Sequence, residues 1–218
     1  MHMNEFRSIK SRSEAEHKVL GSKFIAVAES VHSEEDFKNF HEKLKKEHFK
    51  ARHHCYAYRI LIGPDVHERA NDDGEPSGTA GKPILGQLLS HNLHNVAIIV
   101  IRYFGGTKLG TGGLIKAYKR AAELVIEQSE IETVRLYEKY LIELDYNLSS
   151  IFLNAAKRLD VLIQSQQFSS KAKFVIGLDP HSSETDLVKL KSLTFQIPYE
   201  MAEADTNEAW QVHPLGIS

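Results

Sequence analysis

The amino-acid sequence predicts an α+β protein of two domains, residues 1–130 and 131–218. Two observations carry that prediction. Apolar residues recur with a period near two in some stretches and near 3.6 in others, so strands and helices are interleaved. The pattern then restarts after a polar junction at Ser129–Thr133. From there the order reads strand, helix, strand, strand, helix, strand, the split βαββαβ arrangement of a ferredoxin-like domain. No internal repeat relates the two halves.

Lys23–Ala28 (KFIAVA) follows Gly21 and is rich in β-forming residues, which predicts a strand. Ser33 has the chemistry of a helix N-cap, with Asp36 three residues on. Phe37, Phe40 and Leu44 then give an apolar stripe to a helix reaching about Glu47. His53–Ile62 (HHCYAYRILI) is the next strand. Cys55, Ala57 and Leu61 share one face, and Tyr56, Tyr58, Ile60 and Ile62 share the other. Both faces are apolar enough for an interior strand. Gly63–Gly81 is expected to be a long loop, punctuated by Asp73-Gly74, Pro76, Ser77-Gly78 and Gly81. Leu85, Leu88 and Leu89 predict a helix from near Pro83. Asn95–Ile101 (NVAIIVI) is a continuous apolar run, hence a buried strand. A glycine-rich loop follows, and Leu114, Tyr118, Ala121, Ala122 and Val125 mark one face of a helix ending near Gln128.

Beyond the junction, Tyr140, Ile142, Leu144 and Tyr146 alternate with Leu141, Glu143 and Asp145, as in a strand with one solvated face. Leu148, Ile151, Phe152, Ala155 and Leu159 form a helical stripe. Val161–Ile163 and Phe174–Leu178 predict two strands, the second ended by Asp179-Pro180. Ser182 or Ser183 caps a helix carrying Leu187, Leu190 and Leu193, and Phe195–Met201 is expected to be the last strand.

Composition narrows the function classes. The formal charge of −2 argues against a bulk nucleic-acid coat and leaves room for a local basic surface. From Thr133 onward there are 8 Lys+Arg against 11 Asp+Glu, which leaves 19 against 18 before it. The basic surface therefore belongs to the first domain. Cys55 is the only cysteine, so no intrachain disulfide forms and a reducing cytoplasm is expected. No apolar stretch approaches a membrane span, and MHMNEFRSIK lacks the pattern of a signal peptide; no membrane contact is expected.

The stretch Arg102–Arg120 (RYFGGTKLGTGGLIKAYKR) joins a buried strand to an amphipathic helix through a glycine-rich loop. Its charges are all positive. Free N–H groups at the helix start and a nearby cluster of cations attract an anion. The Walker pattern fails, because Thr111 stands where its lysine belongs. The dinucleotide pattern fails at Ile115. The glycines serve equally well as tight turns and close packing points. Asp72, Asp73 and Glu75 have the chemistry to hold Mg²⁺ or move a proton, or else to form turns and pair with the basic loop. Cys55 beside His53 and His54 has the parts of a thiol nucleophile, but a lone cysteine is more often a small buried hydrophobe.

The segments GSKFIA (Gly21–Ala26), HHCYAYRI (His53–Ile60), DDGEPSGTAGKPIL (Asp72–Leu85) and VIRYFGGTKLGTGGLIKAY (Val100–Tyr118) together resemble the IMPACT family, over about the first 130 residues. The second domain resembles the accessory domain of the bacterial two-domain members. The resemblance implies a ribosomal-protein-like β-α fold, as in domain IV of elongation factor G, followed by a ferredoxin-like domain. Eukaryotic members regulate translation under stress, by competing with a protein kinase of the amino-acid-starvation response for its activator. They also carry a different N-terminal protein-binding domain with no counterpart in this sequence. What carries over is a link to translation or RNA without an established catalytic activity.

The expected function is that of a non-enzymatic, translation-linked regulator that binds RNA, the ribosome or a translation-associated protein. Arg102, Tyr103, Gly105, Gly106, Thr107, Lys108, Gly110, Thr111, Gly112, Gly113 and Lys116 form the expected phosphate or nucleic-acid surface, with Tyr103 and Phe104 as stacking groups. Asp72, Asp73, Glu75, Ser77, Thr79 and Lys82 form an accessory loop. No catalytic residue, metal or cofactor is assigned. The rival readings are a Mg²⁺-dependent enzyme acting on a phosphorylated small molecule and a purely protein-binding module. The enzyme reading requires the two long motifs to face one pocket.

Overall fold

In the computed structural model, residues 5–62, 65–206 and 208–217 are described. The chain forms two compact units, Glu5–Val134 and Arg135–Ser218. The first contains β1 (Glu5–Ile9), β2 (Ser13–Val19), β3 (Ser22–Ser30), α1 (Glu34–Glu47), β4 (His53–Ile62), β5 (Asp65–Asn71), α2 (Gly81–Ser90), β6 (Val96–Tyr103), α3 (Gly110–Gln128) and β7 (Ile131–Arg135). Strands β2-β3-β6-β4-β5 make an antiparallel sheet in that order, and β1 pairs with β7 separately.

The apolar run of β6 is continuous because both faces of the sheet are covered. On one face Phe24, Ala26, Cys55, Ala57, Ile98 and Val100 pack with Ile84 and Leu88 of α2 and with Leu114, Tyr118, Ala121 and Val125 of α3. On the other, Ile25, Val27, Tyr56, Tyr58, Ile99 and Ile101 pack with Phe37, Phe40 and Leu44 of α1. Each large apolar side chain buried this way contributes about 1.5–3 kcal/mol. Helix α1 begins as its sequence predicts. The Ser33 hydroxyl accepts the Asp36 N–H at 3.0 Å, and the Asp36 carboxylate accepts the His32 N–H at 2.9 Å.

Four strands of this unit were not legible, β1, β2, β5 and β7. Strand β2 (SEAEHKV) and strand β5 (DVHERAN) lie at the sheet's edges, where charged residues replace the apolar alternation. Strand β5 shortens the expected loop from Gly63 to Gly81; Gly63 and Pro64 themselves lie outside the described residues.

The second unit contains β8 (Glu138–Asp145), α4 (Ser149–Arg158), β9 (Leu162–Phe168), β10 (Lys171–Leu178), α5 (Ser183–Phe195), α6 (Tyr199–Ala204) and β11 (Trp210–Ile217). Its antiparallel sheet has the order β11-β8-β10-β9, the ferredoxin-like arrangement. The last strand is not at Phe195–Met201, where the sequence places it. That stretch closes α5 and opens α6, with Pro198 at the α6 N-cap. Strand β11 carries Pro214 and Gly216 at a break in register, which an edge strand tolerates and which hides it from a propensity reading. No helix among the described residues is long and apolar enough to cross a membrane.

Candidate nucleic-acid interface

At one end of the first unit's sheet, Phe24, Arg102 and His53 stand side by side on β3, β6 and β4. The Arg102 guanidinium lies 5.5 Å from the ring centroids of both Phe24 and Phe104. Its Nη1 donates to Glu75 Oε1 at 2.6 Å, with the two side chains only 8 % and 4 % exposed. The Tyr118 hydroxyl donates to the same carboxylate oxygen at 2.8 Å. A buried pair of this kind adds little net stability, so its value is in fixing where the two groups stand. Arg102 Nε is buried with no hydrogen-bond partner. Cys55 Sγ sits 2.9 Å from the Asp72 carbonyl and 3.3 Å from the Tyr118 hydroxyl. Burial pushes the Cys55 thiol up to about 12 and raises Tyr118 as well, so both stay neutral. A buried thiol held protonated in this way offers little thiolate for attack.

The accessory loop is turned toward its own backbone. Glu75 N–H closes a β-turn on the Asp72 carbonyl at 2.9 Å, with Asp73 and Gly74 at positive φ. The Asp72 carboxylate accepts N–H groups from Gly78, Ala80 and Gly81 at 2.8–2.9 Å, and so caps α2. Asp73 accepts the His54 N–H at 2.6 Å. Thr79 is buried, with its hydroxyl on the Pro76 carbonyl at 2.6 Å. Ser77 and Lys82 are exposed. The three carboxylates thus form no open acidic cluster.

The glycine loop faces outward. Gly105 must be glycine, because a Cβ there would lie 1.8 Å from the Gly21 carbonyl carbon. Phe104 through Lys108 are exposed, as are Gly110, Thr111 and Gly112 in the first turn of α3. The N-cap residue Leu109 makes no side-chain cap bond, no other described side chain accepts from the first N–H groups, and the first turn of α3 holds no carboxylate. This helix start borders a cleft of about 860 Å³. Lys50, Arg52, Arg102 and Lys108 line the cleft, and Glu75, already paired with Arg102, is its one carboxylate.

Of the residues the sequence singles out for this surface, Glu75, Arg102, Tyr103, Phe104, Lys108, Gly110 and Thr111 meet at the cleft. The two long motifs therefore do share one pocket. Gly106, Thr107, Gly112 and Lys116 are exposed on the same loop and helix without lining it, and Gly113 is half-buried against Leu109. Tyr103 lines the cleft, but its ring packs on the α1 core and its hydroxyl meets His48 Nδ1 at 3.0 Å. Phe104, 56 % exposed, is the available ring. Lys50 and Arg52 were missed, and His53 was weighed only as a partner for Cys55. They arrive through the pairing of His53 with Arg102, a register that no local pattern encodes. His53 Nδ1 donates to the Asp73 carbonyl at 2.8 Å, which fixes the ring and leaves Nε2 as its other polar atom.

Residues 20–126 match the model of the Impact N-terminal domain. An IMPACT family member of Haemophilus influenzae is 34% identical over 185 residues, covering 84% of this chain and 89% of that protein. IMPACT family member YvyE of Bacillus subtilis is 34% identical over 173 residues, 79% of either chain. Among solved structures, a crystal structure of a hypothetical protein matches over 96% of this chain and 97% of its own, with a TM-score of 0.66 and 25% identity.

Proposed function

Since this chain belongs to the IMPACT family, we propose that it is a translation-linked regulator whose first unit docks the phosphates of RNA, free or in the ribosome. The observation that carries the reading is the uncapped, exposed start of α3 beside a cleft of cations. Helix-terminal N–H groups and the helix dipole favour an anion there, and Lys50, Arg52 and Lys108 add charge that no carboxylate of the cleft cancels. The link to translation comes from the family resemblance, and the phosphate preference comes from the site. The Mg²⁺-dependent alternative gains from the shared cleft. It loses more because Asp72 and Asp73 are bonded to backbone and Glu75 is held by Arg102 and Tyr118.

The test is binding of labelled RNA and of ribosomes to the full chain across a salt series. Three phosphates of a single strand released from counterions give a log–log slope of about −2, and Lys108→Ala lowers its magnitude by roughly 0.7. Absence of salt-dependent binding at low ionic strength contradicts the reading. Capture of protein from a lysate that survives nuclease treatment, with no RNA binding, assigns the chain to protein recognition instead.

A further inference from the structure

Resting on the reading above, we infer that the cleft takes single-stranded rather than duplex RNA, with a base stacked on Phe104 and a neighbouring phosphate on the amides at the start of α3. Phe104 is a large ring left 56 % exposed at the end of a buried strand. It is not loose. The Arg102 guanidinium supports one of its faces at 5.5 Å, and the fully buried Phe24 backs Arg102 at the same distance. Glu75 locks the guanidinium in place from the side. The Arg102 guanidinium therefore lies near both a fully buried ring and an exposed one. A ring ordered in advance loses little freedom when a flat partner settles on it.

A second observation points to a ligand at the same place. Arg102 is more than nine-tenths buried, lines the cleft, and keeps Nε without a partner. The adjoining backbone is also bare for no internal reason. A Cβ at Gly112 would meet nothing within 4 Å, and its φ is not positive, yet glycine stands in the first turn of a helix. Phe104, the cations and the backbone of Gly110 and Thr111 border one concave cleft, with Gly112 beside it, so a splayed base and its phosphate have partners close together. In a duplex the base faces are stacked on one another and closed to an aromatic side chain.

The experiment measures affinity of the full chain for a fluorescent single-stranded RNA 12-mer, the same RNA annealed to its complement, inorganic polyphosphate and polyglutamate. The single strand is expected to bind more tightly than the duplex. Phe104→Ala should lower the ratio of single-strand to polyphosphate affinity roughly 5- to 160-fold, the range for loss of one base–aromatic stack. Phe104→Trp should keep that ratio, with indole fluorescence quenched by RNA but not by polyphosphate. An unchanged ratio in Phe104→Ala overturns the inference, as does a Phe104→Trp protein that binds RNA without quenching. Equal binding of duplex and single strand also overturns it, and leaves phosphate docking standing. Tightest binding to polyglutamate transfers the cleft to acidic protein and overturns both readings. No binding of any polyanion by the wild type does the same.

Discussion

Helices α2 and α3 both start on glycine-bearing turns of the first unit, and the two starts are treated in opposite ways. At α2 the Asp72 carboxylate gathers N–H groups from Gly78, Ala80 and Gly81. Neither helix has a capping N-cap side chain or a carboxylate in its first turn, but at α3 no described side chain does what Asp72 does at α2. Every α-helix leaves its first N–H groups without an internal partner, and its dipole draws an anion toward them. The chain supplies that anion to α2 and, among the described residues, supplies none to α3. The glycines at the two starts differ as well. Gly81 is bare because a Cβ would come within 2.5 Å of the Asn71 nitrogen, whereas at Gly112 a Cβ would meet nothing. Glycine instead of alanine in a helix costs about 1 kcal/mol, and at Gly112 no packing need offsets it.

The largest effect should come from removing the internal anion. Asp72→Ala leaves three backbone N–H groups around a half-buried site without their charged acceptor. It should destabilise the first unit by about 2–4 kcal/mol, measured by urea denaturation followed by far-UV circular dichroism. Burial pushes the Asp72 carboxyl up, but the N–H groups of Gly78, Gly81 and Ala80 outweigh it and hold the group below its ordinary 3.8. Its contribution is therefore present above that pH and is lost as pH falls through the depressed value. A change within 0.5 kcal/mol, about what an ordinary surface substitution produces, would mean that the α2 cap does not need its anion.

A smaller effect separates the two units by pH. His17, His41, His54 and His94 all lie in the first unit, and burial holds each below its ordinary 6.5. The folded unit favours their neutral forms. Below pH 6.5 the unfolded chain binds more protons, so stability falls as pH drops toward the depressed values. In the second unit, the lysine partner of Glu143 holds that carboxyl below 4.5, so its contribution persists until the carboxylate range. Between pH 6.5 and 5 the first unit's melting temperature should fall while the second unit's holds. The sole tryptophan, Trp210, reports the second unit by fluorescence, and calorimetry reports both. An earlier loss of the Trp210 transition would reverse the expected order.

Much of the molecule was legible because its core strands and helices obey simple periods. Cys55 and Ala57 face one core and Tyr56 and Tyr58 the other, as strand alternation requires. Ser33 and Asp36 announced the start of α1. Edge strands were harder, since β5 is charged and β11 carries Pro214 and Gly216. The glycine loop was readable as a bend exposing amides. Its neighbours were not, because Lys50 and Arg52 reach the cleft through the tertiary register between β4 and β6. Nor does sequence separate Tyr103 from Phe104. Adjacent residues at a strand end diverge, and only packing decides which ring is covered.

The contrast between the two helix starts is tested most directly by giving α3 an anion of its own. Thr111→Asp places a carboxylate in the first turn of α3, at the edge of the cleft. The first unit should gain about 0.3–1 kcal/mol from the helix dipole. Affinity for single-stranded RNA, titrated across salt and compared with the uncharged Thr111→Asn, should drop by about tenfold or more, equivalent to about 1.4 kcal/mol. If Thr111→Asp binds RNA as tightly as Thr111→Asn at every salt concentration, the start of α3 is not where the outside anion sits, and the account is wrong at its centre.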